Sequence, residues 1–131
     1  MAINIKGNST DKNFITELSS RDLVIYADEP LDKGGQNKSF TPMELLGSSL
    51  SSCTIITLQL YFNHKGWEYS DIEVDVAFDS DIKPIVFHRN VKVKGTFDEK
   101  QIQRIAAIAN ACPVHKLLEK GSEIITNVKV N

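Results

Sequence analysis

Two cysteines are the residues of this 131-residue chain best suited to chemistry. Cys53 falls inside a long apolar stretch, and Cys112 stands directly before Pro113. A buried thiol behaves as a small hydrophobe; an ionised one is a strong nucleophile. Cys112 has the better local setting. Pro113 is well placed to open a short helix, whose positive dipole end favours a thiolate. His115 follows closely and can act as a cation or proton donor. Cys53 has no such help and needs a cation from elsewhere in the fold. If the two thiols meet, hydroperoxide reduction follows from their chemistry. A thiolate attacks the O–O bond, an alcohol leaves, and a sulfenic acid remains. The second thiol condenses with it to a disulfide, which an external dithiol resets by exchange. The departing alkoxide needs a proton or a nearby cation. An apolar wall beside the thiols would favour organic hydroperoxides over hydrogen peroxide.

Plainer readings compete. An isolated buried cysteine is usually a packing residue. Cys112 and His115 also have the spacing of half a zinc site, to be completed by Cys53, His64 or His88. A structural disulfide between Cys53 and Cys112 is a further alternative, which a reducing compartment disfavours.

The elements that must position these residues can be read from pattern. Ile3/Ile5, Phe14–Leu18 and Leu23–Ala27 read as short strands, with Ser19-Ser20 separating the last two. A polar loop, Asp28–Phe40, is punctuated by Pro30 and Gly34-Gly35. Thr41-Pro42-Met43-Glu44 fits a capping box with proline at the first helical position. The helix it opens runs to about Lys65, where Gly66 stops it. Its middle is apolar or small on nearly all sides, so it is expected to be buried on nearly all sides, in part by a partner subunit. Ile72–Phe78 and Ile85–Val93 alternate as two half-buried antiparallel strands, with Arg89 out of place on the apolar face of the second. A second helix opens at Thr96 or Asp98 and carries the stripe Ile102, Ile105, Ala106, Ala109, Cys112. Pro113–Lys120 forms a short third helix, ended by Gly121, and Ile124–Val130 reads as a last strand. The order is α+β with a mainly antiparallel sheet.

Bulk properties narrow the class. The length suits a single domain over residues 1–131. A net charge of −2 gives no nucleic-acid footprint. The opening MAINIKGNST lacks a basic-then-apolar signal pattern, and no apolar run is expected to span a membrane. Two cysteines are too few for a secreted disulfide scaffold, so a cytoplasmic protein with reduced thiols is expected. No cofactor and no metal is assigned.

The stretch from Thr41 through Glu44-Leu45-Leu46 to Ser51-Ser52-Cys53-Thr54 resembles the P-x-E-L-L…small-small-C signature of OsmC-like proteins, which include osmotically inducible and organic hydroperoxide resistance proteins. Cys112-Pro113-Val114-His115 resembles the second motif of that family. Asp28-Glu29-Pro30 with Gly34-Gly35, and Tyr61 to Trp67, resemble one of its branches. The resemblance covers about residues 21–130. It implies an OsmC-like fold with a long central helix, in an intertwined homodimer with two sites at the subunit interface. It implies thiol-dependent reduction of organic hydroperoxides, with Cys53 as the attacking thiol and Cys112 as the resolving one, the reverse of the dipole argument. It also implies recycling by a dithiol or a lipoylated protein. In the peroxidase branches a glutamate directly after the helix-opening proline pairs with a loop arginine that activates the thiol. Here Met43 holds that place and Glu44 lies about 100° around the helix. The loop Asp28–Phe40 has lysines, Lys33 and Lys38, but no arginine. Arg21 and Arg89 are the candidates to substitute, with Glu44 and His115 as further assisting residues. The missing pair also allows a weakly active or non-catalytic dimer that binds a small molecule or senses redox state.

Overall fold

Thr41 and Glu44 start the longest element as expected. The Thr41 backbone N–H donates to Glu44 Oε1 at 2.8 Å, and the Glu44 N–H donates to Thr41 Oγ1 at 3.1 Å. This reciprocal cap satisfies two donors that the first turn would leave open. The helix, Pro42–Lys65, ends at Gly66, whose φ of 70° lets the Trp67 N–H return to the Phe62 carbonyl at 3.0 Å. The computed structural model describes residues 1–130. In chain order its strands are β1 (Lys6–Ser9), β2 (Thr16–Ser20), β3 (Leu23–Ala27), β4 (Asp71–Ala77) and β5 (His88–Lys94). Its α-helices are α1 (Pro42–Lys65), α2 (Glu99–Asn110) and α3 (Pro113–Lys120).

These elements group into two compact units, Met1–Ser48 with Phe78–Val86, and Ser49–Ala77 with the chain from Phe87 onward. The first holds an antiparallel sheet in the order β1-β2-β3. β1 forms at Lys6–Ser9 rather than at Ile3/Ile5, and β2 runs on through Ser19 and Ser20. The β2–β3 turn is only Arg21-Asp22, with Arg21 at φ 57°, the positive φ that two-residue hairpins require. Backbone geometry thus overrides the reading of the serine pair as a separator. After β3 the loop is pinned by Asp28, 1% exposed, whose carboxylate accepts the N–H groups of Glu29 (2.8 Å), Gln36 (3.2 Å) and Lys38 (3.0 Å). Burial pushes the Asp28 carboxyl up, but the three N–H donors outweigh it and hold the carboxyl below the ordinary aspartate value. A Cβ at Gly35 would strike the Glu29 carbonyl, so the tight loop demands glycine there.

The second unit carries the core. Leu58, Phe62 and Ile105 are buried, with Tyr61, Trp67, Tyr69, Ile72, Val91, Val93 and Phe97 among the residues packed on them. The Phe62 ring lies 5.2–5.9 Å from those of Tyr69, Trp67 and Phe97. β4 and β5 pair antiparallel, with Ile72 opposite Val93, Val74 opposite Val91 and Val76 opposite Arg89. Arg89 therefore does share a face with the valines, as the alternation predicts. Ser51 in α1 donates to the Val74 carbonyl at 2.9 Å and ties the helix to β4. Asp98 rather than Thr96 caps α2, through a complete capping box with Gln101.

Within one chain α1 buries the stripe Leu50, Thr54, Leu58 and Phe62, each four residues from the last, while Ile56 and Leu60 are 55% and 66% exposed, and the expected share of a partner subunit lies outside a single chain. Two expectations need correction. No strand forms at Ile124–Val130; Ile124, Ile125, Val128 and Val130 are exposed and pair with no sheet edge among the described residues. A strand needs a neighbour to satisfy its backbone, and this segment pairs with none of the open edges of the two sheets. Finally, α1 is long and apolar enough by length and composition to cross a bilayer, a test that the core helices of soluble proteins also pass.

Candidate active site

α1 delivers Cys53 half-buried on one side of the site, next to the buried stripe, and the break between α2 and α3 delivers Cys112, fully buried. Cys112 is not the last residue of α2. It is the N-cap of α3, with φ −57° and ψ 133°, because Pro113 disfavours helical angles in the residue before it. Its carbonyl accepts the Lys116 N–H at 3.1 Å and opens α3. The two thiols lie close enough to influence each other's ionisation, so the residues that the sequence singles out are brought together.

Their surroundings differ. Cys112 lies near the backbone N–H groups of Val114 and His115 and the hydroxyl of Thr54, without capping α3 through its side chain. Burial pushes its thiol up, but the neighbouring Cys53, the two N–H groups and Thr54 together pull it below the ordinary thiol value. Burial pushes Cys53 up as well, and the contact with Cys112 pushes it further. The Val114 N–H and Thr57, whose Oγ1 lies 3.9 Å from Cys53 Sγ, pull Cys53 the other way without reversing the shift.

Arg89 reaches this cluster. Its Nη1 donates to Thr54 Oγ1 at 3.1 Å, and its Nη2 to Asn110 Oδ1 at 2.9 Å and His115 Nδ1 at 3.0 Å. A guanidinium only donates, so His115 Nδ1 accepts and the ring proton sits on Nε2, 3.2 Å from Glu119 Oε2. Among the described residues no carboxylate pairs with Arg89, so its charge is spent on neutral acceptors. Arg89 and Asn110 also line a groove of about 450 Å³ whose apolar wall includes Val91, Val93, Phe97 and Ile105.

The other sequence candidates have defined places. The Glu44 carboxylate closes the helix cap, and Arg21 occupies the β2–β3 turn. The His115 side chain turns to Arg89 and Glu119. Sequence reasoning missed Thr54 and Asn110. A threonine directly after one cysteine and an asparagine just before the other were the available signals. Among the described residues no cluster of three His, Cys, Asp or Glu side chains is suited to a metal.

The OsmC-like protein family matches residues 35–127, which take in both cysteines, Arg89 and His115. The chain belongs to the OsmC-like family. Among curated proteins, none matches the sequence. Solved structures of similar fold include a protein from Psychrobacter arcticus 273-4, provisionally named an osmotic stress induced and detoxification response protein, with a TM-score of 0.74 at 21% identity over 86% of this chain and 85% of that one. An OsmC-like protein of Mycoplasma pneumoniae gives 0.72 at 20% identity over 91% and 88%. The organic hydroperoxide resistance protein OsmC of Legionella pneumophila gives 0.66 at 13% identity over 90% and 89%. At these identities the likeness establishes the fold: α+β, with antiparallel sheets and three helices, as OsmC-like proteins have.

Proposed function

We propose that this OsmC-like protein reduces organic hydroperoxides with its two thiols. The observation that carries the reading is the neighbouring pair Cys53 and Cys112 inside an OsmC-like fold. Similar folds named organic hydroperoxide resistance proteins, from Legionella pneumophila and Elizabethkingia anophelis, support a peroxide-related role. Cys53, the more exposed sulfur, attacks the peroxide and becomes a sulfenic acid; Cys112 condenses with it to a disulfide. A dithiol or a lipoylated protein restores the pair by exchange. The apolar groove beside Arg89 suits the organic part of the substrate.

The working unit is a homodimer in this reading. β3 exposes Leu23, Val24, Ile25 and Tyr26 together, and α1 leaves Ile56 and Leu60 uncovered. So large an apolar surface calls for a second copy. The reaction belongs to the cytoplasm, where thiols are kept reduced. Consumption of cumene hydroperoxide with a dithiol reductant tests the function: the wild type should turn over, and Cys53→Ser should not. Activity that persists in Cys53→Ser removes the assignment.

A second reading is favoured by one observation: Arg89 is held by Thr54, Asn110 and His115 rather than by Cys53. A half-buried cysteine without that cation on it suits a dimer that binds a small molecule or senses redox state with little turnover. Wild-type protein that forms the disulfide slowly and stops after one equivalent, despite excess dithiol, would select it.

A further inference from the structure

We infer that Arg89 is the positioning residue of the thiol pair: its guanidinium clamps the helix that carries Cys53 to the chain on both sides of Cys112, and so holds the two sulfurs in register for joining. The inference rests on the redox pairing proposed above and adds the group that keeps the pair together. Its basis is a set of hydrogen bonds. Nη1 donates to Thr54 Oγ1 at 3.1 Å, and Thr54 directly follows Cys53 on α1. Nη2 donates to Asn110 Oδ1 at 2.9 Å and to His115 Nδ1 at 3.0 Å, one on each side of Cys112. Two of these anchors are themselves held. The buried Thr54 hydroxyl donates to the Leu50 carbonyl at 2.7 Å, which leaves its oxygen to accept from Arg89. His115 Nε2 reaches Glu119 Oε2 at 3.2 Å, which keeps Nδ1 turned to the guanidinium. Between Asn110 and His115 the backbone has little slack. The Cys112 N–H donates to the Ala109 carbonyl at 3.4 Å, the Cys112 carbonyl accepts the Lys116 N–H at 3.1 Å, and Pro113 stands between. Arg89 itself starts from a paired strand, opposite Val76, and a side chain borne on a strand positions its partners better than one on a loop.

A planar fork suits this task and an ammonium does not. The guanidinium nitrogens point in fixed directions and reach acceptors on three elements at once, whereas lysine offers one point of charge. The consequence falls on disulfide closure. Two thiols on separately moving segments lose freedom when the S–S bond forms. Two thiols on clamped segments lose less, so the effective concentration of one sulfur at the other is higher. Exchange with glutathione disulfide reads this without peroxide. The two protein thiols give up two electrons and two protons, the protein S–S bond forms as that of glutathione breaks, and two glutathione thiols leave. A second arginine supplies the contrast. Arg104 on α2 donates from Nε to the Tyr61 hydroxyl of α1 at 3.0 Å, so it also ties the two helices. It does so about two helical turns from each cysteine, where it cannot hold their relative position.

Equilibration of the protein in graded mixtures of glutathione and glutathione disulfide tests this, with acid quenching and mass spectrometry to read the fraction carrying a Cys53–Cys112 disulfide. Arg89→Leu should lower the equilibrium constant for disulfide formation about tenfold, or about 30 mV in potential. Arg89→Lys should restore almost none of it, since the charge returns without the fork. Arg104→Leu should stay within about twofold of wild type, although it too removes a link between α1 and α2. Thr54→Val should lower the constant by about threefold, and Thr54→Val with Arg89→Leu should lower it no further than Arg89→Leu alone, as expected of residues that act through one bond. A wild-type constant in Arg89→Leu overturns the inference. So does full rescue by lysine, a shift in Arg104→Leu as large as that in Arg89→Leu, or effects of Thr54 and Arg89 that multiply. Should Arg89→Leu fail to fold, Asn110→Ala at its exposed position takes its place. It should lower the constant by about threefold, and no change overturns the inference. If the wild type forms no Cys53–Cys112 disulfide in any mixture, the redox pairing beneath falls as well, whereas a wild-type disulfide that ignores Arg89 removes the inference alone.

Discussion

Asp28 and Cys112 sit in different units of the protein and are built alike. Each is buried to within 1% of completely, and each is held below its ordinary pKa by neighbours that outweigh the cost of burial: backbone N–H groups for Asp28, and Cys53 first of all for Cys112. What surrounds them separates their roles. Asp28 touches only the chain it pins, the N–H groups of Glu29, Gln36 and Lys38. Cys112 neighbours a second thiol and a threonine held by an arginine that pairs with no carboxylate among the described residues. The first arrangement holds a loop; the second has a sulfur to join. Burial is common to both, and the neighbours decide whether the buried group is architecture or chemistry.

The comparison can be attacked at several points. Cys53→Ser carries the largest effect. It should abolish hydroperoxide turnover, by at least about a thousandfold, in an assay of peroxide loss with excess dithiol. Arg89→Gln comes next. Loss of the cation behind Thr54 should slow the first turnover by about tenfold and move the acid limb of its pH profile upward. Arg89→Lys should recover part of both, a pattern that simple destabilisation does not produce. Asp28→Asn should leave chemistry aside and act on stability. It removes a charge-assisted acceptor from three N–H groups and should cost about 2 kcal/mol near neutral pH in denaturant unfolding.

The pH dependence of that loss has a definite sign. Asp28 has a folded pKa below its unfolded one, so its contribution is present above the ordinary aspartate pKa and disappears as pH falls through the lowered value. The gap between wild type and Asp28→Asn should therefore narrow in acid. The smallest effect belongs to Glu44→Gln. Glutamine keeps the capping box, so stability should change by less than about 0.5 kcal/mol and peroxide turnover by less than twofold. A large fall in turnover would instead give the Glu44 charge a part in the chemistry.

The parts of this account visible in the sequence are those set by local rules. The capping box at Thr41, the stop at Gly66, the break at Pro113 and the alternation along β4 and β5 each depend on residues within one turn or strand. The segments that misled were those whose fate depends on distant backbone. β1 formed three residues beyond Ile3, where its register with β2 placed it, and Ile124–Val130 has strand composition but joins neither sheet. The same division holds at the site. Both cysteines stand out by their motifs, and Arg89 stands out as a charge on an apolar strand face. Thr54 and Asn110 do not, because their importance comes from Arg89, 35 and 21 residues away in sequence. His115 was legible as a neighbour of Cys112 but not in the direction of its ring. Proximity in sequence does not reveal that the ring turns to Arg89 and Glu119.

Everything proposed for function requires the two sulfurs to act as one redox pair. Mass spectrometry of the protein after one equivalent of cumene hydroperoxide, digested without reductant, tests this most directly. The account predicts a stoichiometric Cys53–Cys112 disulfide within each subunit. Cys53 left unmodified, or oxidised to its sulfinic acid while Cys112 stays free, would contradict it.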